Sequence, residues 1–458
     1  GSASGDAGIY VMLINNSATP TYANTTFYYL STNPSGSASN AIFSGTGSQS
    51  GGVVTISAVT AGAIAVGDVL NGAGVEPGST VISLVTGTGG TGTYNVSTSG
   101  TVASGAVTVG NGIAYTTPAD LDGDHITDYV YAGDLQGNVW RFDLTSSSPS
   151  QWGVTNSGGA SINKPSGTAP GQGGGGTPAA LFTAKSSTGK IQRITTQLLV
   201  LSNIVPGSGQ FLMIEFGTGQ RTQITNAAPE SYLSGTQSLY GVWDWNMSAW
   251  NALSPGSQYA TVAATSTGLS SPYTLGYTNL TAQTLTSGSM GTVNGTNAVV
   301  CWDGTATCTS GNTSFGWYAS LPGTSEQIIY NPVYFQGAIL VNSTIPAVNT
   351  ATSCTIATDT GYTYALSIVN GGVFNNAFPT FTYTNPTTNV TTLVSDSTAA
   401  AVGTNATGSV SVVSTVEGKN NIVYQNGSPN CTGTGCHSNQ INLPPNVKAK
   451  RLTWVERR

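Results

Sequence analysis

Four aspartates, Asp120, Asp122, Asp124 and Asp128, stand at positions 1, 3, 5 and 9 of one short stretch, DLDGDHITD, with Ile126 at position 7. Alternate residues of a curling loop point inward. This spacing therefore converges carboxylate oxygens, together with the backbone carbonyl of Ile126, on one point. Such hard oxygens suit Ca²⁺, which takes six to eight of them at roughly 2.3–2.6 Å. Without a cation the carboxylates would repel one another and some would take up protons. A solvated acidic turn would explain the charge but not the spacing. The loop also departs from the EF-hand pattern. Position 6, where the tight turn usually has Gly, is His125; a Gly stands at position 4 as Gly123; position 12, usually a bidentate Glu, is Tyr131. Asp128 is thus the expected bidentate ligand, and loss of the Glu predicts affinity in the roughly 10⁻⁴–10⁻³ M range of extracellular modules. His125 has no second His nearby and is expected to be a solvent-facing turn residue.

The segment after the loop reads as a strand, not a helix. DYVYAGDLQGNVWRFDL offers Tyr129 and Tyr131, then a turn around Gln136-Gly137-Asn138, then Trp140 and Phe142. The metal would cap a β element. Asp134, at a strand end, is placed to cap backbone amides.

DLDGDHITDYVYAGDLQGNVWRFDL resembles the signature of the PilY family, type IV pilus tip adhesin and biogenesis proteins whose C-terminal half is a modified β-propeller. Further matching segments occur in order: IEFGTGQ at 214–220, SLYGVWD at 238–244, GWYASLPGTSEQIIYNPV at 316–333 and RLTWVERR at 451–458. The resemblance spans most of 110–458 and is most specific over 120–144. Family members usually carry Gly at loop position 6, so His125 bears on affinity more than on the existence of the site. The resemblance implies an all-β modified propeller with quinoprotein-like blades that holds Ca²⁺ through Asp120, Asp122, Asp124, Ile126 and Asp128. It also implies a place at the pilus tip with the minor pilins, reached by export through the periplasm. There the protein would support pilus assembly, retraction control and twitching motility, and adhesion to a host or abiotic surface. It further implies a piece of a longer protein, with a signal peptide and an N-terminal half upstream; the leading Gly-Ser is equally a cloning remnant.

Composition points to the same fold class independently. Only 7% of the 458 residues are charged and Gly reaches 60, so charged faces for long amphipathic helices are lacking. Many short strands punctuated by Gly, Asn, Ser and Pro are the alternative. The net charge of −6 argues against generic nucleic-acid binding, which needs a basic stripe. Six of 18 acids fall within 120–143 and five of 12 bases within 448–458, so the acidic loop and basic tail are local features. No apolar run reaches transmembrane length, and the chain is not expected to span a membrane.

The expected organisation is first propeller strands in 1–35, an inserted small β module in 36–110, the propeller with its acidic loop in 111–440, and a basic tail in 441–458. The insert has only Asp68 and Glu76 as charges and is similar to small β modules of phage tail-fibre and bacterial surface proteins. A loop insertion of this kind costs little closure entropy. The run 246–315 reads as an elaborated loop stapled by Cys301 and Cys308. Cys431 and Cys436 would close a second small loop, and Cys354 is left over. Short-range disulfides suit the periplasm or cell surface.

Other readings of the chemistry are weaker. CTGTGCH at 431–437 has four residues between its cysteines where a c-type haem site has two, and reads as a disulfide-closed hairpin. A quinoprotein-like propeller enzyme would need a vicinal cysteine pair that the sequence lacks. With only His125 and His437, no Ser–His–Asp constellation is feasible; Glu215 and Asp244 are the remaining carboxylates for acid–base work, with no supporting spacing. No catalytic residue is therefore assigned. A generic integrin-like calcium propeller would repeat the Asp loop blade after blade, whereas this chain has one.

Overall fold

In the computed structural model the described residues are 6–12, 27–33, 41–155, 178–205, 208–222, 231–270, 273–309, 311–347, 359–379, 381–384, 390–394, 396–404, 408–414, 421–425, 438–442 and 449–452. Among the described residues strands make up 47% and helices 4%, as the scarcity of charged faces predicts. Three large sheets share one continuous core that runs from Ala119 to Leu452 and includes Tyr131, Phe182, Met213, Trp243, Trp317 and Tyr364.

The first sheet orders Gly153–Val154, Asn138–Asp143, Tyr129–Asp134 and Ile113–Ala119, with Phe182–Thr183 also on Asn138–Asp143. Every residue of Tyr129–Asp134 is buried. Tyr129 and Tyr131 face the main core, whereas Val130 and Ala132, with their cross-strand partners Phe142 and Trp140, pack under Ile9 and Leu30 of an N-terminal hairpin. Burial on both faces is why this run reads as unbroken apolar and aromatic sequence instead of alternating. Asp134 caps the turn: it accepts the Gln136 and Asn138 amides at 2.8 Å and the Trp140 indole at 2.7 Å.

The second sheet orders Thr281–Gln283, Gly316–Ser320, Ser238–Trp243, Gly209–Gly217, Leu199–Val205 and Ala449–Arg451. Its last member, Ala449–Arg451, comes from the basic tail. The third orders Leu285–Ser287, Thr292–Gly295, Ala399–Thr404, Gly361–Ser367, Ala338–Asn342 and Val333–Phe335. Residues 246–315 hold more order than a stapled loop: a short helix at Ser248–Leu253 and three strands that join these two sheets. Cys301 and Cys308 form a disulfide; Cys354, Cys431, Cys436 and the glycine run at 171–176 lie outside the described residues.

Residues 43–109 form a closed six-stranded barrel, in the order Phe43–Ser50, Val53–Gly62, Gly92–Val96, Ser79–Leu84, Val69–Asn71 and Thr101–Val109. Its interior is its own, built on Phe43, Val54, Ile56, Leu70, Val81, Tyr94 and Val107. Closure leaves few unpaired strand edges, which suits a module with almost no charge to guard them. The run IAVGDVL yields a strand only from Val69, because the Asp68 carboxylate accepts the Ala65 amide at 2.8 Å and folds the preceding residues into a turn.

Candidate metal centre

The acidic loop joins strand Ile113–Ala119 to strand Tyr129–Asp134. The Asp128 amide donates to the Ala119 carbonyl at 2.9 Å and closes its neck. Within the loop the aspartates shape the backbone they stand on. Asp120 accepts the Gly123 amide at 2.6 Å and the His125 amide at 3.0 Å, and Asp124 accepts the Ile126 amide at 2.7 Å. Such side-chain-to-backbone bonds curl a short segment without a helix or ladder. His125, at φ 74°, and Gly123, at φ 86°, both adopt the left-handed conformation. Position 6 therefore demands what Gly supplies freely, and His, one of the side chains that tolerates this region best, meets it.

Asp120, Asp122 and Asp124 each place a carboxylate oxygen within 4.8 Å of the others. Three hard anionic oxygens this close, on a surface open to water, fit a hard divalent cation such as Ca²⁺. The Ile126 side chain points to solvent. Asp128 lies outside this cluster of three. It is buried, its Oδ2 accepting the Leu121 amide at 2.7 Å. Burial, with repulsion from Asp122, Asp120 and Asp124 added, pushes its carboxyl up to about 7 against the pull of the Leu121 amide. Sequence spacing groups four carboxylates; the fold brings three together at the surface and sets the fourth beneath the loop.

Groups far away in sequence complete the surroundings, and no local signal marks them. The Leu121 carbonyl accepts the Ser257 hydroxyl at 2.8 Å and the Tyr259 hydroxyl at 3.0 Å, and the Asp120 amide donates to the Leu452 carbonyl at 3.1 Å. Below the loop, Arg141 donates to both oxygens of Asp244 at 2.8 Å and lies over the Tyr129 ring, while the Tyr131 hydroxyl donates to Asp244 at 2.7 Å. This buried pair ties the first sheet to the second. Asp244 is thereby committed to Arg141 and Tyr131, and Glu215 is buried near the Trp317 indole; no bond joins the two as an acid–base pair.

Comparison with known proteins agrees with this architecture. The family model of the PilY1 beta-propeller domain matches residues 58–261. The chain is 29% identical over 283 residues to the type IV pilus biogenesis factor PilY1 of Pseudomonas aeruginosa strain UCBPP-PA14, covering 58% of this chain and 22% of that protein. Over these ranges the chain is similar to PilY-family proteins. The fold is all-β, and the β-propeller match takes in the first sheet and three strands of the second. The PilY1 homolog of Xylella fastidiosa is 33% identical over 134 residues, 29% of this chain and 8% of the homolog, so the chain spans less than a quarter of these curated relatives. The crystal structure of the P. aeruginosa PilY1 C-terminal domain superposes with a TM-score of 0.44 at 21% identity, over 73% of this chain and 61% of that one. The matched range begins within the barrel strand Val53–Gly62. Among the described residues no helix is long and apolar enough to cross a membrane.

Proposed function

We propose that this chain is the calcium-holding propeller of a type IV pilus tip protein that supports pilus assembly, restrains retraction and contacts surfaces, without enzymatic activity. The observation that carries this reading is the cluster of Asp120, Asp122 and Asp124 at the head of the buried Tyr129 strand, in a chain whose relatives are type IV pilus biogenesis factors. When bound, Ca²⁺ would supply the positive charge that lets these carboxylates stand together. Asp120, Asp122 and Asp124 would hold it with the Ile126 carbonyl, and Asp128 would join from beneath the loop. The protein's part is to pin the loop at both ends and transmit its order to the strand that buries Tyr129 and Tyr131. Minor pilins are the proposed partners at the tip, and residues 36–110 are proposed to be a separable module presented on its surface.

Calorimetric titration of the wild type and of an Asp122→Ala, Asp124→Ala variant tests the reading. The wild type should bind one Ca²⁺ in the roughly 10⁻⁴–10⁻³ M range. At about tenfold over Kd the stabilisation is roughly 1.4 kcal/mol, enough to order a loop but not to hold up a propeller, so chelator should leave the protein folded. The variant should show no heat of binding, and cells carrying it should display fewer surface pili at unchanged protein level. Equal affinity in the two proteins sinks the assignment.

A further inference from the structure

The C-terminal strand and the acidic loop meet at one residue. Ala449–Arg451 pairs antiparallel with Leu201–Asn203 at the open edge of the second sheet. Leu452 comes next, with its side chain buried in the main core. Its amide donates to the Val200 carbonyl at 3.1 Å, and its carbonyl accepts the Asp120 amide at 3.1 Å. One residue therefore bonds by its two backbone groups to two sheets. Its second bond falls on the first aspartate of the loop.

The loop, in turn, has little backbone to spare at this end. The Asp120 amide goes to Leu452, the Leu121 amide to Asp128, and the Leu121 carbonyl to Ser257 and Tyr259. The Asp120 carboxylate, aimed the other way, holds the Gly123 and His125 amides that shape the cluster. Withdrawing strand 449–452 would free the Asp120 amide and remove the Leu452 side chain from the core it shares with Leu121.

We propose that residues 449–452 are a latch coupled to the acidic loop, so that a cation held by Asp120, Asp122 and Asp124 tightens the seating of this strand on the open edge of the second sheet. This rests on the calcium reading above. Coupling of this kind is reciprocal: whatever the latch contributes to cation affinity, the cation returns to the latch. A cation that binds only the latched form at about tenfold over Kd lowers the population of the open form about tenfold.

Hydrogen exchange of the intact chain, read on peptides covering 449–452, 120–128 and 53–62, tests this with CaCl₂ as the probe and with titration calorimetry alongside. Calcium at tenfold over Kd should slow exchange about tenfold in both 449–452 and 120–128 and leave the barrel strand 53–62 unchanged. In Leu452→Ala, exchange of 120–128 should rise in chelator and calcium affinity should fall by at least threefold. Calcium that binds and protects only 120–128 overturns the latch and leaves the metal reading standing. No heat of binding to the wild type overturns both. If Leu452→Ala fails to fold, the wild-type exchange pattern alone decides.

Discussion

Arg193 of the propeller donates to both carboxylate oxygens of Asp68 of the barrel, at 2.5 and 2.9 Å, with both side chains buried. The same guanidinium reaches the Gln220 side-chain carbonyl at 2.7 Å, and Leu135 of the first blade packs on the barrel core. Asp68 is one of two charges in the whole 36–110 segment, and the fold places it at the seam.

Breaking a buried pair from one side costs about 3–5 kcal/mol, because it strands the other charge. Arg193→Met should therefore loosen the barrel from the propeller without unfolding either, since the barrel core is closed on itself. Calorimetry should resolve a separate barrel transition. Asp68→Asn, which keeps an acceptor for the Ala65 amide, combined with Arg193→Met should recover most of the loss. A deletion of 38–108 bridged by Gly/Ser should leave a soluble propeller that melts cooperatively; aggregation of that variant would argue against a separable module.

His125→Gly should tighten calcium binding. The left-handed backbone costs a side chain roughly 1–2 kcal/mol, and the extra freedom of Gly in the open loop returns about half of that. The net gain, up to about 1 kcal/mol, corresponds to roughly fivefold in Kd. Weaker binding in the titration would show that the His125 side chain itself supports the loop.

Glu215 predicts a pH dependence. Its carboxylate oxygens have no hydrogen-bond partner among the described residues. The Trp317 indole lies over Gly241, the cross-strand neighbour of Glu215, and approaches without reaching hydrogen-bonding geometry. Burial holds the carboxyl well above the usual carboxylate range, with the nearby indole opposing. The folded chain thus keeps a proton that the unfolded chain gives up near pH ~4.3. The stability this lends is full below that pH and is lost as pH rises towards the folded value, by about 1.4 kcal/mol per unit. Glu215→Gln should remove this slope, so its melting temperature should fall less than the wild type's between pH 5 and 8. Parallel curves would be evidence against a buried neutral Glu215.

Reduction should loosen residues 301–314 locally. The Cys301–Cys308 bond sits beside Trp302, which is buried against Phe211 and Trp243, with ring centroids 5.0 and 6.2 Å away. Cys301→Ala with Cys308→Ala should cost about 2 kcal/mol and red-shift part of the tryptophan emission. Unchanged stability would mean that packing alone anchors Trp302. Non-reducing peptide mapping of the same samples should also recover a Cys431–Cys436 bridge, with no Soret absorbance.

The sequence by itself determined the features that depend on neighbours along the chain. The spacing of Asp120, Asp122 and Asp124, the turn at Gln136–Asn138, the capping Asp134 and the Cys301–Cys308 staple are all local, and propensity and spacing suffice to read them. Scarce charge and abundant Gly likewise set the all-β class. Tertiary structure decided whatever depends on residues far apart. Arg141 meets Asp244 across 103 positions, Arg193 meets Asp68 across 125, and Tyr259 reaches Leu121 across 138. Nothing near any of these residues in sequence marks its partner. The same holds for Ala449–Arg451, whose basic surroundings in sequence do not mark the open edge beside Leu199–Val205. Asp128 is separated from its three companions for a related reason. Period-two spacing puts all four on one side of an ideal loop, but the strand beginning at Tyr129 must bury both faces, and it draws the aspartate before it inward.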